Sequence, residues 1–88
     1  MPYIKKDQRP DIDRLIDPLI EHISSLPMED QDGSINYAFT KLIKRIYPTK
    51  YFHLNRALGV LNAITHEFYR RVVGTYEDSK ITENGDVD

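Results

Sequence analysis

The sequence predicts an all-α fold, namely a three-helix bundle with a kinked first helix and a long third helix, expected to be dimeric. Apolar residues recur at three- and four-residue steps in three segments, which is typical of amphipathic helices. No segment alternates apolar and polar residues over the length of a strand. Pro27, Gly33 and Pro48 punctuate the chain between these segments. With 88 residues, the chain is expected to form one domain of marginal stability, which favours help from a partner subunit.

Residues 1–9 lack periodicity and are expected to form a loose arm. Helix one is predicted over residues 10–25. Its apolar stripe consists of Ile12, Leu15, Ile16, Leu19, Ile20, Ile23 and Leu26. Pro18 interrupts this stripe and lacks an amide donor, so we expect either a kink or a fresh helix start with Asp17 as the N-cap.

Helix two is predicted over residues 34–47, after a polar connection that contains Pro27 and Gly33. Ser34 or Asp32 is available as its N-cap. The stripe consists of Ile35, Ala38, Phe39, Leu42, Ile43 and Ile46. Pro48 ends this helix, and Thr49 is expected to cap the next one.

The third helix, which we call the long helix, is predicted over residues 50–83, with a tail at 84–88. At 1.5 Å per residue it is about 50 Å long, roughly twice the length of either other helix. Its distal apolar residues are Phe68, Tyr69, Val72, Val73, Tyr76 and Ile81. Either the helix breaks at Gly74 and folds back, or another chain covers this surface. The small cost of a helical glycine and the better C-terminal cap at Asn84-Gly85 favour a continuous helix and a homodimer.

The net charge of −2 conceals three blocks of charge. Residues 1–32 carry four Lys or Arg and eight Asp or Glu, residues 33–66 carry five Lys or Arg and no acid, and residues 67–88 carry three and six. The candidate anion-binding residues are the cations of the middle block, Lys41, Lys44, Arg45, Lys50 and Arg56. Alternatively, these cations neutralise the acidic first helix or the acidic tail.

At about 100° per residue, a mostly polar stripe runs along the long helix. Its members are Asn55, Gly59, Asn62, His66, Arg70, Val73, Glu77, Lys80 and Asn84. The stripe is interpreted either as a groove for an anionic or zwitterionic ligand or as a polar seam in a dimer.

No catalytic residue, cofactor or metal site is predicted. The chain has no cysteine, and its histidines lack a partner at metal-ligand spacing. The remaining enzyme hypothesis is a Mg²⁺-dependent nucleotide pyrophosphohydrolase that uses Glu67, Glu77 and Asp78. Arg70 and Lys80 stand where such enzymes need acids, which favours ion pairs of Glu67 with Arg70 and Arg71, and of Glu77 with Lys80.

Three motifs in residues 33–87 resemble those of a family of small bacterial and phage proteins. They are Gly33-x-Ile35-Asn36-Tyr37, Leu54-Asn55-x-Ala57-x-Gly59-Val60-Leu61, and Glu67-Phe68-Tyr69-Arg70-Arg71-Val72-Val73 with Tyr76-Glu77-Asp78-x-Lys80-Ile81-x-Glu83-Asn84-Gly85-Asp86-Val87. The resemblance implies an all-helical fold and no activity, and Asp88 departs from the aromatic residue that relatives often carry. It directs attention to one candidate functional surface, formed by Tyr69, Arg70, Arg71, Tyr76, Glu77, Lys80, Asn84 and Asp86.

The resulting hypothesis is a small cytoplasmic, phage-related interaction or assembly module of unknown function, more probable as a binding protein than as an enzyme. It is expected to form a homodimer through the long helix, with an unidentified protein as a further partner. No membrane contact is expected, because no apolar run reaches about 20 residues. The alternatives are an anion- or nucleic-acid-binding protein that uses residues 41–56 and, after it, the Mg²⁺-dependent hydrolase.

Overall fold

The computed structural model describes residues 3–88, and every regular element in that range is helical. The all-α prediction is therefore confirmed. The chain divides into two compact units, one that ends at Tyr47 and one from Pro48 to Asp88. The first unit is a helical hairpin and the second is the long helix. No helix in residues 3–88 combines the length and the apolar character that crossing a membrane would require.

Local hydrogen bonds hold the arm that precedes the first helix. Lys6–Gln8 form a short 3₁₀ helix. The amide of Lys5 donates to Oε1 of Gln8 at 3.2 Å, and Nε of Arg9 donates to the carbonyl oxygen of Ile4 at 3.3 Å. These bonds make residues 4–9 less loose than expected, whereas Met1 and Pro2 lie outside the described residues.

The first helix, α1, spans Arg9–Ser24 and runs through Pro18. The alternative of a fresh start capped by Asp17 is therefore wrong. Pro18 removes one amide donor from the helix, but the apolar stripe stays in phase on both sides of it. The stripe therefore presents one continuous face to the second helix.

The second helix, α2, spans Met28–Ile46 and begins six residues before the expected start. Glu29 and Asp30 lie in its first turn, where carboxylates interact favourably with the helix dipole. Gly33 is accommodated inside the helix at a cost of about 1 kcal/mol. Neither predicted N-cap is used, and the Ser34 hydroxyl instead donates to the carbonyl oxygen of Asp30 at 2.9 Å.

The hairpin turn is short, since only three residues separate the two helices. Nε2 of Gln31 donates to the carbonyl oxygen of Leu26 at 3.2 Å, which ties α2 to the turn. Ile23, Leu26 and Ala38 are half-buried. On one side of the hairpin an open groove of about 390 Å³ remains, lined mainly by Ile16, Leu19, Ile20, Ile23, Ile35, Ala38 and Phe39.

The long helix consists of three consecutive segments. These are α3 at Tyr51–Phe68, a π-helical segment at Tyr69–Val73, and α4 at Gly74–Asn84. The helical backbone continues through Gly74 and ends at Gly85, whose φ of 87° is readily adopted only by glycine. At the start, Lys50 occupies the N-cap position and makes no side-chain cap bond, so the expected cap by Thr49 is not used.

The π-helical segment adds a residue to one turn of the long helix. One extra residue shifts every later side chain by about 100°. Val73 and Tyr76 therefore move towards the face of Phe68, from which a uniform α-helix would separate them by roughly 140° and 80°. The polar stripe expected along the whole helix is correspondingly displaced beyond Arg70, because that prediction assumed a uniform twist.

Candidate functional site: the π-helical segment and its flanks

A charge-assisted contact lies at the entrance to the π-helical segment. Nη2 of Arg70 lies 3.2 Å from Oε1 and 3.3 Å from Oε2 of Glu67. The Glu67 side chain is only 18% exposed, whereas that of Arg70 is 69% exposed. The expected Glu67–Arg70 pair is thus present, and it holds the carboxylate in one orientation at the start of the segment.

A second interaction spans the segment. A hydrogen bond between the Tyr69 hydroxyl and the Glu77 carboxylate, reinforced by the negative charge of Glu77, raises the pKa of Tyr69 above its ordinary value of 10.0. Asp78 adds a weaker effect in the same direction. Tyr69 and Glu77 are eight residues apart, so they were not predicted as partners. This interaction relates the first residue of the π-helical segment to the first turn of α4.

Lys80 is paired differently from the prediction. Its Nζ lies 3.2 Å from Oε2 of Glu83 and 5.6 Å from the centre of the Tyr76 ring. The predicted Glu77–Lys80 pair is absent from the described residues, because the Glu77 carboxylate faces Tyr69 on the preceding turns. The prediction assumed that Glu77 would pair with the cation nearest to it along the helix.

Glycine at position 74 matches the geometry of the segment. The Gly74 amide donates to the carbonyl oxygen of Tyr69, five residues earlier. A Cβ atom added at Gly74 would lie 3.2 Å from that oxygen, which is closer than nearly all real Cβ contacts. The glycine in Val72-Val73-Gly74 is therefore compatible with the π-helical turn, a feature that an interpretation based on uniform helical periodicity does not predict.

The remaining residues of the candidate surface lie at separate places along the chain. Arg71 forms no ion pair with any residue in 3–88. Asn84 is the last residue of α4, and the Asp86 carboxylate accepts from the amide of Val87 in the tail. The candidate surface is therefore a row of local interactions along the helix.

The carboxylates proposed for Mg²⁺ are not assembled into a metal site. Glu67 and Glu77 are ten residues apart, which corresponds to about 15 Å along a helix. Their nearest partners are Arg70 and Tyr69, respectively. Within residues 3–88, no group of three or more His, Cys, Asp or Glu residues is arranged to hold a metal ion.

The five candidate anion-binding residues occur in both units. Lys41, Lys44 and Arg45 are exposed on α2 and line one depression on its surface. Lys50 precedes α3, and Nη1 of Arg56 lies 2.9 Å from Nδ1 of His53.

The acidic neighbours expected to neutralise the basic block are not paired with its cations on α2. The salt bridges found in the described part of the chain involve Arg14, Arg70 and Lys80 instead. The three cations of α2 therefore remain available to an external anion.

No curated protein and no solved structure matches this chain. One family model does match, over residues 1–87, and its description is a domain of unknown function, DUF6899. Because that match covers nearly the whole chain, the protein belongs to the DUF6899 family.

Proposed function

We propose that the protein is a small helical assembly module that associates with a second copy of itself through the distal half of the long helix. The observation that carries this proposal is an apolar surface that the second unit has no means of covering. That unit contains a single helical run of 34 residues, and one helix alone forms no core.

Three of the exposed apolar side chains lie in or next to the π-helical segment. Phe68 is 59% exposed, Val72 is 51% exposed and Tyr76 is 62% exposed. Burying such side chains contributes about 1.5–3 kcal/mol for each large apolar group. An interface at this place would therefore gain much more than the salt bridges of the same region, which are exposed and individually weak.

The lengths of the helices point to a second copy as the occupant. The hairpin helices have 16 and 19 residues, about 24 and 29 Å, whereas the long helix is about 50 Å long. Each hairpin helix is therefore only about half as long as the long helix. A second long helix matches the first in length and in apolar character.

Sedimentation equilibrium at tens of micromolar tests the proposal. A mass of about twice the 10.3 kDa of one chain is expected, whereas a monomer would overturn self-association. Val72→Asp should weaken the dimer, because it introduces a charge into the apolar surface next to Phe68. A dimer as stable as that of the unsubstituted chain would contradict an interface at this surface.

A further inference from the structure

We propose that the exposed face of α2 binds single-stranded nucleic acid, with Lys41, Lys44 and Arg45 at phosphates and Tyr37 against a base. This inference goes beyond self-association and concerns the other unit of the chain. It rests on three observations. The three cations have no acidic partner among the described residues, their spacing suits a chain of phosphates, and an exposed aromatic ring lies beside them.

The three cations of α2 have no acidic partner among the described residues, unlike three cations elsewhere in the chain. Arg14, Arg70 and Lys80 each have a carboxylate oxygen within 3.2–3.4 Å. Lys41, Lys44 and Arg45 are exposed and form no salt bridge with any residue in 3–88. Residues 33–66 also contain no Asp or Glu that would repel a phosphate. Glu29 and Asp30 line a neighbouring depression with Tyr37 and Lys41, but no carboxylate of the described residues forms a salt bridge with the three cations.

The spacing of the cations suits a chain of phosphates. Lys41 and Arg45 are four residues apart, about 6 Å along the helix axis, and Lys44 lies between them. The same surface depression is lined by Gly33, Asn36 and Thr40, which are small or polar. The Thr40 hydroxyl donates to Oδ1 of Asn36 at 3.0 Å, and no atom outside the helix backbone lies within 4 Å of a Cβ position at Gly33. A phosphodiester backbone can therefore approach this face without a steric barrier.

The exposed ring of Tyr37 favours a nucleic acid over other polyanions as the ligand, because it can stack on a base. Its side chain is 68% exposed, and Nζ of Lys41 lies 5.7 Å from the centre of its ring. An exposed ring beside cations matches the alternation of base and phosphate in a single strand, where aromatic stacking accompanies backbone contacts. An acidic peptide offers charge but no base to stack.

Fluorescence anisotropy of the full chain with labelled oligo-dT tests the inference. Three phosphate contacts predict that affinity falls about 20-fold between 50 and 200 mM salt, from a slope of about −0.7 per contact. Absence of binding at 50 mM salt overturns the proposal. Equal or tighter binding of a duplex, or equal displacement by polyglutamate of the same charge, overturns the assignment to single strands.

Two variants with the same change in net charge localise the site. Lys41→Gln, Lys44→Gln and Arg45→Gln together should abolish the salt-dependent binding. The matched control, Lys5→Gln, Lys6→Gln and Arg14→Gln, should retain most of it. Equal losses in the two triple variants would show a non-specific charge effect and overturn the site.

The role of the aromatic ring is tested separately. Tyr37→Ala should weaken oligo-dT binding by at least about fivefold, and Tyr37→Phe should preserve it, because stacking needs the ring and not the hydroxyl. An unchanged affinity in Tyr37→Ala would overturn the stacking contact. Circular dichroism of each variant distinguishes lost binding from lost helix.

Discussion

The hairpin and the long helix both expose apolar side chains, but the cations of α2 have different surroundings from Arg70 and Lys80 of the long helix. In the long helix, Arg70 and Lys80 pair with Glu67 and Glu83 of the same helix. In the hairpin, the cations of α2 are left without acidic partners. Because Arg70 and Lys80 pair within the long helix, they attract an external anion less strongly. Apolar contact is then the main interaction available to the long helix for association. The cations of α2 form no salt bridge with the described residues, so this helix attracts a polyanion more strongly than the long helix does.

The largest expected effect tests the apolar half of this comparison. Phe68→Ala should raise the dimer dissociation constant at least about 30-fold, as expected for an aromatic anchor at the centre of an interface. Phe52→Ala is the matched control, because Phe52 is 70% exposed on the same helix but lies away from the π-helical segment. Sedimentation equilibrium measures both, and equal effects would contradict an interface centred on the distal half.

A smaller effect is expected inside the hairpin. Ile23→Ala should lower the free energy of unfolding by about 1–2 kcal/mol, less than the 2–5 kcal/mol typical of fully buried sites because Ile23 is half-buried. Leu15→Ala, at a site that is 72% exposed, should cost much less. Urea unfolding monitored by circular dichroism compares them, and similar losses would argue against packing between α1 and α2 at Ile23.

The same glycine substitution should have different effects on stability in the two units. Gly33→Ala should stabilise α2 by about 1 kcal/mol, because alanine is the better helix former and the added Cβ meets nothing within 4 Å. Gly74→Ala should gain less or destabilise, because its Cβ would lie 3.2 Å from the Tyr69 carbonyl oxygen. Thermal unfolding measures both, and equal stabilisation would contradict the tight π-helical turn.

The smallest effect concerns the link across the π-helical segment. Glu77→Gln should lower the pKa of Tyr69 towards 10.0, since it removes the charge that raises it. Because folding raises this pKa, the protonated hydroxyl contributes stability below pH 10, and this contribution is lost as the pH rises through the raised value.

A ¹³C NMR titration of the tyrosine Cζ signals measures this change, with Tyr69→Phe to assign the signal. An unchanged pKa in Glu77→Gln would show that the two side chains do not interact.

The helical periodicity of the apolar residues was sufficient to predict the all-α fold and the long helix. Ile23 and Ala38 lie where the stripes of α1 and α2 placed them, because an apolar face needs a partner whatever the details of the turn. The Glu67–Arg70 pair was also predictable, since residues three apart are neighbours on any helix surface. The packing of the long helix in a bundle and its dimerisation stay predictions.

Other features depended on which of several competing interactions is stronger, and helical periodicity gives no information about their relative strengths. Pro27 and Gly33 predicted a connection, but helix extension outweighed the cost of Gly33 and started α2 at Met28. Glu77 was expected to pair with Lys80, but Lys80 pairs with Glu83, which lies at the same three-residue spacing on its other side.

The sequence by itself determined the helical character of the chain, the places where its apolar faces lie and the basic block of residues 33–66. These properties depend on residue type and spacing alone. Only the tertiary structure decided that the cations of α2 lack acidic partners and that the long helix contains a π-helical segment. Both depend on which of several competing contacts each side chain makes, and that choice is settled by three-dimensional geometry.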